Sequence, residues 1–189
     1  MDSALHTRDK IVELGRNYIL TIGYHAFNYK QIATALNIKN AAIHHYYPLK
    51  EDLGLAVIEK DRQEFVNMIR LTANGDPLLG LEALLDCYDR YFKDGHKLCL
   101  VGTFCSAYHD VSEKLQIASA QYLNVICTWL TEVMQAGLES GRFNFEITAQ
   151  EMANNWAAIL PGSLQIGRVQ GEEYFYQVMD SLRKSLKTK

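Results

Sequence analysis

Apolar residues recur every three or four positions along almost the whole chain, which is the spacing of one face of an α-helix. The first such segment stops at Gly23. Its apolar residues are Ile11, Leu14, Tyr18, Ile19 and Ile22. No segment alternates apolar and polar residues as a half-buried strand does. The sequence therefore predicts an all-α fold.

Local signals divide the chain into helical segments. Asn28 with Gln31 three residues later predicts a capped helix start, and Asn37 suits a left-handed turn because Asn tolerates positive φ. Short helices are expected up to Leu36 and over 40–46, and Lys50 opens a long one. Later helices are expected near 77–93, 98–109, 112–140, 148–168 and 172–187, with a kink at Pro161-Gly162.

Size and composition limit the class of protein. The 189 residues, 48% of them hydrophobic, are enough to bury a core without disulfides or metal. The N-terminus lacks the apolar stretch of a signal peptide, and no run approaches the ~18 apolar residues of a membrane span. The four cysteines show no CxxC spacing. We therefore expect a cytoplasmic protein with reduced thiols, no membrane segment and no cofactor.

Charge is unevenly distributed along the chain. Residues 1–50 hold six Lys or Arg against three acids, a balance of +3, whereas the rest holds 13 basic and 19 acidic residues, a balance of −6. Four of the six histidines also lie in the first fifty residues. A basic head on an acidic body indicates that the head meets an anion, although a difference of this size also arises by chance.

The stretch NAAIHHYYPLKEDL, residues 40–53, belongs to a helix-turn-helix pattern. A helix that enters the DNA major groove needs small or polar exposed residues. Ala41 and Ala42 allow close approach, and Asn40, His44 and Tyr46 can hydrogen-bond. An ordinary solvated turn remains the alternative on spacing alone. A metal site at His44-His45 is disfavoured, because adjacent helical side chains point ~100° apart.

Residues 7–58 resemble the DNA-binding domain of the tetracycline-repressor (TetR) family of transcriptional regulators. The match runs without a gap over Thr7-Arg8, Ile11, Gly23-Tyr24, Phe27, Ile32-Ala33, Leu36, Ile38, Ala42-Ile43, His45-Tyr46-Tyr47, Lys50-Glu51 and Leu53. The resemblance implies a homodimeric helical regulator with a DNA-binding domain at 1–49 and an effector-binding and dimerisation domain at 50–189. This sequence departs from the family pattern at three positions. Ala41 stands where glycine is common, His44 where tyrosine is usual, and Leu49 where a capping Ser or Asn is usual.

The family's DNA contacts, carried over by position, fall on the second and third helices and on the start of the fourth. They are Tyr29, Lys30, Lys39, Asn40, Ala41, Ala42, His44 and Tyr46, with Lys50 on phosphate. The implied partners are a double-stranded operator, a second copy of the chain and a small-molecule effector.

The body carries two further sets of candidate residues. Aromatic residues on separate segments are candidates for an effector pocket: Tyr91, Phe104, Tyr108, Tyr122, Trp129 and Trp156. Apolar stripes in the last two helices are candidates for a dimer interface: Trp156, Ile159, Ser163, Phe175, Val178, Met179, Leu182 and Leu186. The same stripes could instead close the protomer's own core.

Cys99 is a candidate thiol sensor, because a helix start and the preceding His96 and Lys97 favour thiolate. The segment also resembles an electrophile- and oxidant-sensing branch of the family. The alternative is a plain buried cysteine. A metal site formed by His96, Cys99, Cys105 and His109 is disfavoured, because Cys99 and Cys105 lie ~240° apart around a helix.

These observations predict a transcriptional regulator, most simply a repressor, released by an effector in the body or by cysteine modification. We expect no enzymatic activity, because GxSxG, HExxH and phosphate-binding glycine loops are absent from the sequence. A small helical ligand-binding protein or enzyme that never meets DNA remains the alternative, as does a helical adaptor with a heteromeric partner.

Overall fold

The computed structural model describes residues 2–72 and 75–186. These residues form α-helices and one 3₁₀ turn and contain no strand, so the predicted all-α class is confirmed. The helices are α1 (Asp2–Ile22), α2 (Tyr29–Leu36), α3 (Asn40–Tyr46), α4 (Lys50–Thr72), α5 (Pro77–Lys93), α6 (Leu100–Ser106), α7 (Glu113–Glu139), α8 (Ala149–Gln170) and α9 (Glu172–Ser185). None of the helices in this described part is long and apolar enough to cross a membrane.

The segment expected at 98–109 differs most from its prediction. α6 ends at Ser106, and a 3₁₀ turn follows at Tyr108–Asp110. The side-chain amide of Gln116 donates to the carbonyl oxygens of Tyr108 (2.8 Å) and Val111 (3.2 Å), which holds this connection in its non-α form. α8 continues as a helix through Pro161.

The chain folds as two compact units, and the first comprises residues up to 63 together with 100–121. Its core is formed by almost fully buried apolar residues of α1 to α4, of the loop between α1 and α2, and of α6 and α7: Ile11, Ile19, Leu20, Phe27, Ile32, Ile43, Leu53, Val57, Phe104 and Leu115. An ion pair also links α1 to α4: Arg16 Nε lies 2.5 Å from the buried carboxylate of Asp61. Removing one partner of such a pair destabilises strongly because it leaves a buried charge.

Local capping sets the helix-turn-helix of this unit. The Asn28 side chain accepts from the Gln31 N–H, and the Gln31 side chain accepts from the Asn28 N–H, so the predicted capping box is confirmed. Asn37 ends α2 in the left-handed conformation, φ 53°, as predicted. Its N–H bonds back to carbonyls of α2, and the chain then enters α3 after Lys39.

The second unit comprises residues 64–99 and those from 122 onward. Within it α8 packs along α9, and Phe92 of α5 stacks on Phe175 of α9 with ring centroids 4.2 Å apart. The turn after α7 folds back tightly, because a Cβ at Gly137 would lie 1.8 Å from Phe143 Cδ2. Only glycine permits that contact. The functional boundary between 49 and 50 stays a prediction.

Candidate nucleic-acid interface

α3 turns most of its residues to the surface. Ile43 is buried and anchors the helix to the core of its unit. Asn40, Ala41 and His44 are exposed, and Ala42 and Tyr46 are partly exposed. The predicted contact residues of α3 therefore share an outward position with small or polar side chains. His45 is exposed as well and was not among the predicted contacts. Its position next to His44 in the same short helix is the sequence signal that could have indicated it.

The charge of this region is one-sided. From Leu14 to Lys50 the sequence contains no Asp or Glu. Lys30 at the start of α2 and Lys39 before α3 are both exposed. A phosphate group that approached this stretch would meet cations and no carboxylate from within it, an arrangement that favours sequence-independent attraction to a duplex.

Tyr29 lies differently from the other predicted contacts. Its side chain is buried, its hydroxyl donates to the Leu49 carbonyl (2.7 Å), and the His44 ring packs against it at 4.9 Å. Burial raises the pKa of Tyr29 well above its ordinary value of 10. While the bond to Leu49 holds, this hydroxyl is not free to donate to a phosphate. Tyr29 positions the connection between α3 and α4.

Lys50 is also engaged within its own unit. Its ammonium donates to the carbonyl oxygens of Phe27 (2.6 Å) and His25 (3.2 Å), and it lies over the rings of Tyr24 and Phe27 at 5.0 and 4.3 Å from their centroids. Burial lowers the pKa of Lys50. The side chain therefore ties the start of α4 to the loop between α1 and α2, and at most one N–H remains for a phosphate.

The start of α4 carries two carboxylates of its own, Glu51 and Asp52. Asp52 accepts from the Leu49 N–H at 2.9 Å, which satisfies the backbone of Leu49, whereas Leu49 has no side-chain oxygen to cap the first N–H groups of α4. Hydrogen bonds from Ser112 and Lys114 lower the pKa of Glu51. Two acids in the first turn occupy the positive end of the helix and reduce its attraction for phosphate.

Several solved structures with this architecture are TetR-family regulators. A TetR transcriptional regulator from Legionella pneumophila is 27% identical, with 94% of this chain and 95% of that chain covered and a TM-score of 0.83. A TetR-family regulator from Agrobacterium tumefaciens is 26% identical, with 98% and 100% covered and a TM-score of 0.90. The TetR-family prediction is confirmed. Transcriptional regulation is accordingly the class of function that these relatives indicate.

Other comparisons add less. The reduced form of E. coli NemR shares the TetR fold at 16% identity and a TM-score of 0.76, with 96% of this chain and 98% of that chain covered. At that identity the likeness concerns the fold alone. No protein-family model and no curated protein matches the chain.

The aromatic residues predicted to form a TetR-type effector pocket are divided between the two units. Phe104 and Tyr108 belong to the first unit, where Phe104 packs on Tyr24 and Tyr108 is exposed. The other four belong to the second unit: Tyr91, Tyr122, Trp129 and Trp156. There Trp156 is fully buried, and Trp129 lines a cavity of about 220 Å³. The pocket itself stays a prediction.

The predicted dimer residues are mostly buried within their own unit. Those with at most 3% of their surface accessible are Trp156, Ser163, Phe175, Met179, Leu182 and Leu186. Such residues have little surface left to bury against a partner, so their stripe forms the core between α8 and α9, the alternative that periodicity left open. Ile159 is 41% exposed and Val178 is partly exposed, which leaves these two available.

Cys99 immediately precedes α6 and is buried, with 6% of its surface accessible. Its thiol interacts with Tyr88, and burial raises the pKa of that tyrosine well above 10. Lys97 pairs with Asp94, and His96 stacks on Phe92, so the two predicted cations already have partners. Within the described residues no group of three or more His, Cys, Asp or Glu could hold a metal ion.

Proposed function

We propose that this TetR-family chain is a ligand-responsive transcriptional repressor that binds a palindromic operator through α3 as a homodimer. The observation that carries the proposal is the outward face of α3, with Asn40, Ala41 and His44 exposed on a stretch free of acids. Small side chains let the helix approach base edges, and Lys30 and Lys39 supply the charge for the phosphates.

The homodimer would use the outer faces of α8 and α9, next to the stripes predicted from sequence. Ile159, Ile166 and Val169 of α8 are 41%, 46% and 82% exposed, and with Gly162 they follow spacings of three and four residues along one helix face. Val178 of α9 is partly exposed. Covering such a stripe with a second copy buries apolar surface. A dimer also provides two recognition helices, one for each half-site of a palindrome whose half-sites lie about 34–36 Å apart.

The proposed effector acts from the body by favouring a conformation in which the two copies of α3 no longer match both half-sites. A small molecule is the better supported trigger. Modification of Cys99 is the less supported one, because its thiol is buried and occupied by Tyr88.

Fluorescence anisotropy with duplexes from the DNA flanking the chain's own gene tests the proposal. We expect specific binding that weakens steeply with salt, loss of that specificity in Asn40→Ala, and weaker binding to every duplex in Lys30→Ala. The absence of salt-dependent binding to any DNA, including random duplex, would favour the ligand-binding protein or enzyme.

Sedimentation tests the dimer separately. Ile166→Glu should convert the dimer to monomer, because the carboxylate would be buried without a partner. Ile117→Glu is a matched control, since Ile117 is 51% exposed on α7 in the first unit. A dimer that survives Ile166→Glu places the interface elsewhere.

A further inference from the structure

A small cavity lies within the second unit, between the end of α4, the start of α5 and the second half of α7. Its volume is about 220 Å³. Ile69, Pro77, Val133 and the indole of Trp129 give it apolar walls, and Glu132 lines it as well. An apolar cavity of about 150 Å³ holds a benzene molecule. This one therefore has room for a single ring with a few additional methyl groups.

Two neighbours, Phe65 and Gly80, lie against the indole of Trp129. Phe65 packs edge-on against Trp129 with ring centroids 5.3 Å apart. A Cβ at Gly80 would lie 3.1 Å from Trp129 Cζ2, so the glycine leaves space for the ring. The indole, of which 6% is accessible, offers the cavity apolar contact, and an aromatic ring of this kind also attracts cations.

The charge of the cavity is negative. Glu132 is exposed, and no described hydrogen bond or ion pair engages its carboxylate. A groove of about 700 Å³ shares Glu132 and Ala136 with the cavity and adds Glu139. None of the described residues that line the cavity or the groove is Lys, Arg or His. Glu132 and Glu139 would therefore repel an anionic ligand, whereas Glu132 would attract a cation.

We propose that this cavity binds a small organic monocation, with its ring or compact aliphatic body against Trp129 and its ammonium group beside Glu132. Larger members of this class extend their polar part into the groove. The role of the cavity as an effector site rests on the proposed regulator function, whereas binding of the cation itself does not depend on that function.

Calorimetric titration of the full chain without DNA tests the site. The probes are benzyltrimethylammonium, neutral benzyl alcohol and anionic phenylacetate, which share one ring and differ in charge. We expect the cation to bind, Glu132→Gln to weaken its binding about tenfold through loss of the coulombic attraction, and Glu139→Gln, which alters only the groove, to change its affinity less than twofold. Ala136→Leu should abolish binding, because the larger isobutyl side chain would occupy space in the cavity. The fold should tolerate this substitution because Ala136 is exposed.

Equal affinity of Glu132→Gln and the unchanged chain, or phenylacetate binding as tight as that of the cation, would overturn the proposal. Failure of the regulator function is seen elsewhere, as absent DNA binding in the anisotropy assay, and leaves the calorimetric result intact. If the chain binds both operator and benzyltrimethylammonium, the cation should lower operator affinity in the unchanged chain and not in Glu132→Gln.

Discussion

Replacing Lys50 by methionine should destabilise the first unit, because the ammonium holds the loop between α1 and α2. Its bond to the carbonyl of Phe27, a residue 1% exposed, is a charge-assisted one of the kind that contributes about 1.5–3 kcal/mol. The contacts with the Tyr24 and Phe27 rings add about 0.5–1 kcal/mol. Desolvation of the ammonium, visible in its lowered pKa, opposes both contributions.

The net expectation for Lys50→Met is a loss of about 2 kcal/mol, or a Tm lowered by about 4–8 °C for a chain of this size. Urea unfolding followed by circular dichroism measures it. Lys30→Ala is the matched control, because Lys30 also lies in the head but is exposed. The control should lower stability by less than about 0.5 kcal/mol.

The salt dependence of DNA binding by the same two variants distinguishes two roles of Lys50, holding the loop between α1 and α2 and contacting a phosphate. Each cation that contacts a phosphate contributes about 0.9 to the slope of log affinity against log salt. We expect Lys30→Ala to lose about that much, and Lys50→Met to do so too, measured at a temperature where both are folded. An unchanged urea midpoint for Lys50→Met would refute the role in the loop, and an unchanged slope would remove Lys50 from the phosphate contacts.

Two other consequences can be measured directly. Hydrogen bonds from Lys93 and from the Tyr176 hydroxyl (2.8 Å) hold the pKa of Asp89 below its ordinary 3.8, so their stabilisation is complete above that pH and is lost as pH falls through the folded pKa. Tyr176→Phe should therefore lose less stability than the unchanged chain between about pH 4 and 2, and an equal loss in urea midpoint would contradict this. N-ethylmaleimide should modify Cys105, which is exposed, before Cys99, which is buried. The rate at Cys105 should keep rising with pH because desolvation raises the pKa of its thiol, and mass spectrometry that finds Cys99 modified first would contradict this order.

Features set by neighbours in sequence could be predicted from the sequence. The capping box at Asn28 and Gln31 and the left-handed Asn37 depend on residues three or four apart, and both are observed. The bounds of α3 and α5 follow for the same reason, since punctuation by Asn, Pro and Gly acts locally.

Features that depend on residues far apart in the sequence could not be predicted from it. Lys50 bonds the carbonyl of Phe27, 23 residues away, and Tyr29 bonds that of Leu49, 20 residues away. Position within a motif says nothing of such contacts. The stripe through Trp156 and Phe175 has the same periodicity whether it faces its own protomer or a partner, so only the packing of α8 on α9 reveals its burial.

The composition of α3 limits the information that it can extract from a duplex. Among its exposed and partly exposed residues, Asn40 alone has an amide able to pair bidentately with adenine, and the methyl groups of Ala41 and Ala42 can detect little beyond thymine. A good bidentate pair discriminates by about 1–3 kcal/mol. A dimer so equipped would tolerate many mismatches and occupy a graded series of related sites. The affinity of each site, including the deformability of its DNA, would then set the protein concentration at which the site is occupied. Promoters would respond one after another as the concentration of active protein changes.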